Sequence, residues 1–174
     1  MEALSIDTSR LQIRWLNLDD AEFIYNLVKD PDWIRFIGDK GVRNLDHARD
    51  YLETGPMAMY REYGFGLNRV ALKDSGQAIG ICGILQRKTL PEPDLGFAFL
   101  PDHRGHGYAL EASQAVLEHA FGKLGLQRVA AIVSPQNTAS ANLLGKLGFR
   151  FDRHYPAEAN ADPLELYLID DKND

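Results

Sequence analysis

Cysteine is almost absent: Cys82 stands alone among 174 residues, so no disulfide can close within the chain. Its place between Ile81 and Gly83, in an apolar stretch, suits a buried inert thiol better than a nucleophile. No apolar run approaches the ~20 residues that a membrane helix needs. Met1-Glu2-Ala3-Leu4-Ser5 lacks the basic-then-apolar order of a secretory signal, so a cytoplasmic location is expected. Clustered positive charge is missing too. With 19 Lys and Arg against 25 Asp and Glu, the net charge is −6, and the longest basic run is the pair Arg87-Lys88. That excludes the cationic footprint of a duplex nucleic-acid binder. An acidic chain instead favours the approach of cationic partners such as amines. No metal site is expected, because His103 and His106 share a loop that has neither cysteine nor a carboxylate cluster.

What is present reads as one domain over residues 1–174, with ordinary globular proportions of 45% apolar and 25% charged residues. Alternating Leu11, Ile13 and Trp15 predict a strand over 10–16. Apolar residues at helical spacing predict a helix over 19–29, ended by Asp30-Pro31. Trp33, Ile34, Phe36 and Ile37 form an apolar patch before a glycine-bearing loop. A second helix is expected over 45–53, and 57–63 has no clear assignment. From Phe65 the period becomes two. Strands are expected near 67–72 and 78–85, joined by a turn at Asp74-Ser75-Gly76-Gln77, and then at 94–100. A helix over about 107–124 follows, then a strand over 127–133 and a short helix capped by Asn137 and stopped by Gly148. Strands over 149–155 and 164–169, joined by a polar Pro-containing loop, close the chain. The fold expected is α/β: a mixed sheet, antiparallel at first, with helices crossing over in the second half.

The chemistry gathers at the junction of the strand beginning at Asp94 with the helix that follows it. Arg104-Gly105-His106-Gly107-Tyr108-Ala109 places glycines where a side chain would keep phosphate from the backbone, just before a helix N-terminus. Unpaired amide N–H groups and the helix dipole both favour an anion there, and Arg104 adds charge. Gly-x-Gly alone is a weak signal, and a plain tight turn explains it about as well. The chain has no Gly-x-x-x-x-Gly-Lys-Ser/Thr, so this is not a P-loop. A dinucleotide fold would carry its glycines after the first strand, whereas about half of this chain precedes the loop.

The block from Leu95 to Ala112 resembles the acetyl-CoA motif of the GNAT superfamily of N-acetyltransferases, whose signature is Arg/Gln-x-x-Gly-x-Gly/Ala. A second block, Asn137 to Phe149, resembles the segment that follows in the family. Arg-Gly-x-Gly-Tyr-Ala-x-Glu-Ala and Asn-x-x-Ser are most similar to the branch containing the ribosomal-protein N-terminal acetyltransferases. The resemblance implies a mostly antiparallel sheet of about seven strands, splayed where acetyl-CoA binds. It implies that Phe97, Ala98 and Phe99 offer backbone groups to the pantetheine arm. Arg104, Gly105, His106, Gly107, Tyr108, Ala109 and Leu110 would wrap the pyrophosphate, and Asn137 and Asn142 would bond the pantetheine or adenine end. Asn137 also serves as an N-cap whatever its role in binding. Trp33, Phe36, Tyr60, Tyr63 and Phe65 are candidate walls of the acceptor pocket, or core.

The reaction so implied is amine attack on a thioester. An alkyl ammonium of pKa about 10.4 must first lose a proton, which costs roughly 4–5 kcal/mol at pH 7. A base is therefore useful, and holding amine and thioester together supplies much of the rest. The sequence departs from much of the family here. Leu144 stands where a Tyr acid is often found, and Ile132 where some members carry a Glu base. Ser140 then becomes the candidate near the thiolate, with Asp94 and Glu92 candidates to take the amine proton through water. Glu111 reads as a capping or supporting residue. The acceptor is expected to be a protein N-terminal amine, with a small amine (antibiotic, polyamine or amino-acid-like) or a non-catalytic acyl-CoA-binding role as alternatives. A monomer or homodimer is expected.

Overall fold

The structure is a computed structural model and describes residues 2–156 and 162–172. Eight strands form one sheet in the order β1-β2-β3-β4-β5-β6-β8-β7. These are β1 (Ser5–Asp7), β2 (Leu11–Trp15), β3 (Leu67–Leu72), β4 (Ala78–Leu85), β5 (Asp94–Phe99), β6 (Arg128–Val133), β7 (Arg150–Tyr155) and β8 (Leu164–Asp170). Every neighbouring pair is antiparallel except β5 with β6. One strand beyond the expected seven is β1, three residues too short to show a period. The helices are α1 (Ala21–Val28), α2 (Pro31–Phe36), α3 (Leu45–Thr54), α4 (Pro56–Tyr63), α5 (Tyr108–Gly122) and α6 (Thr138–Leu147).

Pleating sends alternate residues to opposite faces, and the two faces have separate cores. On one face Leu11, Ile13, Val70, Leu95, Val129 and Ala131 pack with α5 and α6 through Val116, Leu117, Leu144 and Leu147. On the other, Ile81 meets Ile24, Leu27, Trp33, Ala48 and Leu52 from α1 to α3. At about 25 cal/mol per Å², burying each such leucine or isoleucine is worth roughly 1.5–3 kcal/mol before entropy is counted. A smaller group of Leu90, Ala130 and Leu166 continues that second face beneath β6 and β8.

Two helices arose where the sequence showed none clearly. The apolar patch at Trp33 lies in α2, whose start is set by Pro31 and by Asp30, which accepts the Trp33 N–H at 3.3 Å. Residues 57–63 fall in α4, begun by Pro56 and stopped by Gly64 at φ +78°. Helix α1 is shorter than expected because Leu18–Asp20 form a separate one-turn 3-10 helix. Asp20 is buried there, paired with both Arg14 terminal nitrogens at 2.9 Å and with Arg69 at 3.3 Å. Much of the expected polar loop between β7 and β8 lies outside the described residues.

Candidate active site

Strand β5 begins at a buried carboxylate and ends in the glycine loop, and its two edges are unlike. Toward β4 its pairing runs without a shift from Asp94↔Leu85 to Phe99↔Gly80, and at Gly96 a Cβ would come within 2.9 Å of Leu85 Cδ1. Toward β6 a single pair exists, Asp94↔Ala130, braced by the Ala130 N–H on Pro93 O at 2.8 Å. Beyond that pair no β5–β6 pairing is made: the backbone groups of Phe97 and Phe99 turn to that side, with Phe99 O held by Arg104 Nε at 3.0 Å, while those of Ala98 turn to Ile81 of β4. The expected splay is therefore present, closed at Asp94 and open toward the glycine loop.

The loop leaves β5 through a one-turn 3-10 helix, Pro101–His103. Gly105 and Gly107 have φ of +75° and +81°, a region costly for any residue with a Cβ. An added Cβ at Gly105 would meet nothing within 4 Å, so backbone conformation rather than room selects glycine there. The first hydrogen bond of α5 runs from Glu111 N to Gly107 O at 3.1 Å. Ahead of it, the N–H groups of Gly107, Tyr108, Ala109 and Leu110 have no acceptor among the described residues. A helix start with bare amides beside an open glycine turn has the geometry that suits an anion.

Arg104 does not add its guanidinium to those amides. Its Nε donates to Phe99 O at 3.0 Å, and its terminal nitrogens donate to Asp32 at 2.7 Å and Asp30 at 2.6 Å. The side chain ties the loop to the start of α2, because two carboxylates at that helix N-terminus hold it more firmly than solvent would. The cation beside the loop is Arg10, which sequence reasoning placed only in a strand. Its Nη1 donates to His106 O at 3.0 Å and its guanidinium lies 4.4 Å from the Tyr108 ring centroid. Glu111 holds it. No local signal could have found this pair, since the partners lie 101 positions apart.

The candidate acid and base residues sit on different elements, each with its own partners. Asp94 is 1% exposed and takes the Arg87 Nε at 3.0 Å on both oxygens. Burial raises its pKa above the usual carboxylate value, and the Arg87 charge and hydrogen bonds oppose that rise. Leu95 points into the α5 core, so alternation turns Asp94 toward α1–α4. Glu92 precedes the closed end of the splay and acts electrostatically on Arg128, which is paired with Asp170 at 2.5 Å. Ser140 sits in the first turn of α6, past the far end of β6. From Ala130, level with Asp94, to Val133 that strand spans roughly 10 Å at ~3.3 Å per residue, and Ser140 follows after the turn into α6. Asn137 caps α6, accepting the Ser140 N–H at 3.2 Å, and Asn142 is exposed. Leu144 is buried in the core behind the sheet, and Ile132 half-buried on the Asp94 face.

Several candidate pocket walls are core instead. Tyr60 is 4% exposed, stacks on Trp15 at 4.4 Å, accepts the Leu16 N–H at 3.0 Å and donates to Leu67 O. Burial lifts its pKa out of the working range, as expected of a hydroxyl serving the fold. Trp33 is 4% exposed beneath α1 and α3. Phe65 packs on the α5 side, away from Asp94, and Tyr63 stacks on it at 5.8 Å. Among the described residues no three or more His, Cys, Asp or Glu side chains are grouped to hold a metal.

A family model described as an acetyltransferase (GNAT) domain matches residues 10–150. The Bacillus subtilis protein named uncharacterized N-acetyltransferase YoaA is 30% identical over 148 residues, covering 83% of this chain and 82% of its own. An acetyltransferase from Agrobacterium tumefaciens has the same fold, with a TM-score of 0.82 at 27% identity, covering 98% of this chain and 96% of that one. A ribosomal alpha-N-protein acetyltransferase solved with coenzyme A superposes with a TM-score of 0.84. At 14% identity, over 98% of this chain and 100% of that one, it shows likeness of fold alone. The splayed strand pair, the glycine turn and these matches agree: the chain belongs to the GNAT family of N-acetyltransferases.

Proposed function

We propose that this N-acetyltransferase takes acetyl from acetyl-CoA and delivers it to a primary amine, with a protein N-terminus as the first acceptor. One observation carries the donor: an open β5 edge leads from Asp94 straight into the bare amides of Gly107 to Leu110. Those amides suit a pyrophosphate, and Gly105 and His106 complete the turn around it. Phe97 and the N–H of Phe99 suit the peptide-like pantetheine arm, which can bond to a strand edge as another strand would, whereas Ala98 bonds toward β4 and Phe99 O is held by Arg104. Asn137 has committed its carbonyl to capping, so its contribution would come from the amide nitrogen, with Asn142 exposed farther along α6.

In the reaction the amine nitrogen forms a bond to the thioester carbonyl carbon, the carbon–sulfur bond breaks, and the amine proton must leave. Asp94 at the closed end is the better placed base, acting through water. Glu92 lies outside the splay beside Arg128. The Ser140 hydroxyl, in the first turn of α6, is the candidate to meet the departing sulfur. Acetyltransferases of protein N-termini and of spermidine share the fold, so the protein N-terminal acceptor draws its support from the Arg-Gly-x-Gly-Tyr-Ala-x-Glu-Ala block instead. A thiol-release assay with acetyl-CoA and a panel of peptides and small amines tests the proposal. Turnover on peptides with free N-termini is expected. Turnover confined to small amines would move the acceptor to that class, and tight CoA binding with no turnover on any amine would overturn the catalytic reading.

A further inference from the structure

The β1–β2 turn reaches across to the glycine loop, and its contacts there are unusually complete for an exposed site. Thr8 Oγ1 donates to Glu111 Oε1 at 2.7 Å, and the Arg10 N–H donates to the same oxygen at 2.9 Å. Arg10 Nε and Nη2 both reach Glu111 Oε2 at 2.7 Å. The turn is itself fixed: Leu11 N–H bonds Thr8 Oγ1 at 3.0 Å, and Lys73 N–H bonds Arg10 O at 2.9 Å. Burial alone would push the Glu111 carboxyl up, but the bonds from Thr8 and Arg10 outweigh it and hold its pKa below the ordinary value. Glu111 thus stays ionised and grips one edge of a planar guanidinium.

The planarity of that group directs its other edge. With Nε and Nη2 on Glu111, Nη1 is aimed away from the carboxylate, where it takes His106 O at 3.0 Å. The Tyr108 ring, 4.4 Å away, backs the guanidinium, and His106 stacks on Tyr108 at 5.8 Å. In a trans peptide the C=O and the following N–H point in opposite directions. Holding His106 O on Arg10 therefore turns the Gly107 N–H away from the hairpin, into line with the bare amides of α5. Without that hold, the peptide between His106 and Gly107 can flip, because the flip turns ψ of His106 and φ of Gly107, and glycine tolerates either sign of φ. A flipped peptide would present a carbonyl oxygen to the anion.

We infer that Arg10, oriented by Glu111 and Thr8, is a positioning residue for the donor: it fixes the His106–Gly107 peptide so that its N–H faces the pyrophosphate. The inference rests on the donor site proposed above, and it assigns affinity for the donor to a hairpin far away in sequence.

Calorimetric titration of Arg10→Ala, Arg10→Lys and Glu111→Gln with CoA tests it, with melting curves to confirm folding. Each variant is expected to lose about tenfold in affinity, and the KM for acetyl-CoA is expected to rise while kcat changes little, a split that mere loss of folded protein would not produce. Arg10→Lys should be as weak as Arg10→Ala, because a single ammonium cannot span Glu111 and His106 O. The Gly107 amide resonance should shift in all three. Wild-type affinity in Arg10→Ala, or full rescue by lysine, would overturn the inference. Gly107→Val separates the two readings. If it loses CoA while Arg10→Ala does not, only the role of Arg10 falls; if Gly107→Val also binds normally, the donor site itself is wrong.

Discussion

The two ends of β5 solve different problems by different means. At its C-terminal end the protein offers backbone: bare amides, two left-handed glycines, and side chains such as Arg10 and Arg104 that bond the loop rather than reach into it. At its N-terminal end it offers one side chain, Asp94, buried and paired with Arg87. A phosphate is the same in every donor molecule, so a fixed set of N–H groups serves it without reorganising. Proton transfer instead needs a group that can change its charge; burial raises the Asp94 pKa, and the half-exposed Arg87 opposes that rise.

Breaking each end separately should expose the difference. Asp94→Asn removes the base and is expected to cut kcat by about 10²- to 10³-fold with CoA affinity kept, read by steady-state kinetics and calorimetry. Gly107→Val should do the reverse. It forces a β-branched residue to φ +81° with its Cβ 3.4 Å from Arg10 Nη2, so CoA affinity should fall about 100-fold.

A pH profile sharpens the comparison further. Asp94 works only when ionised, so kcat/KM should rise with pH through a pKa above the ordinary carboxylate value. Arg87 lowers that pKa, and Arg87→Gln should therefore move the rising limb to still higher pH. A limb unmoved by Arg87→Gln would remove Asp94 from the proton path. The same shift has a cost for the fold. A raised carboxyl pKa means that stability falls as pH rises between the unfolded and folded values, the opposite of Glu111, whose lowered pKa gives stability that is lost on acidification. The smallest effect is expected at Glu92. Outside the splay and facing Arg128, Glu92→Gln should change kcat by less than about twofold in the same assay.

Legibility in the sequence followed the range of the interactions. The β3–β4 hairpin was readable from Asp74-Ser75-Gly76-Gln77, because turn geometry depends on neighbours: Gly76 has φ +72° and its N–H bonds Leu72 O at 2.8 Å. The stop of α6 was readable for the same reason, with Gly148 at φ +95° and Phe149 N–H on Leu144 O at 3.0 Å. Helix α2 was less so, since six residues give too little period to separate a helix from an apolar patch. The aromatic residues offered for the acceptor pocket show where composition misleads. Tyr60 and Trp33 look the same in sequence whether they line a cleft or fill a core, and here they fill the core.

By itself the sequence determined the glycine turn into α5, the cap and stop of α6, and the alternation that puts Asp94 and Leu95 on opposite faces. Each depends on covalent neighbours, through φ preferences and the pleat. Only the tertiary structure decided that Arg104 binds Asp30 and Asp32, that Arg10 and Glu111 stand behind the loop, and that β5 and β6 pair only at Asp94. Charged side chains pair through space, and which partner each one finds is set by the packing of elements that the chain places far apart.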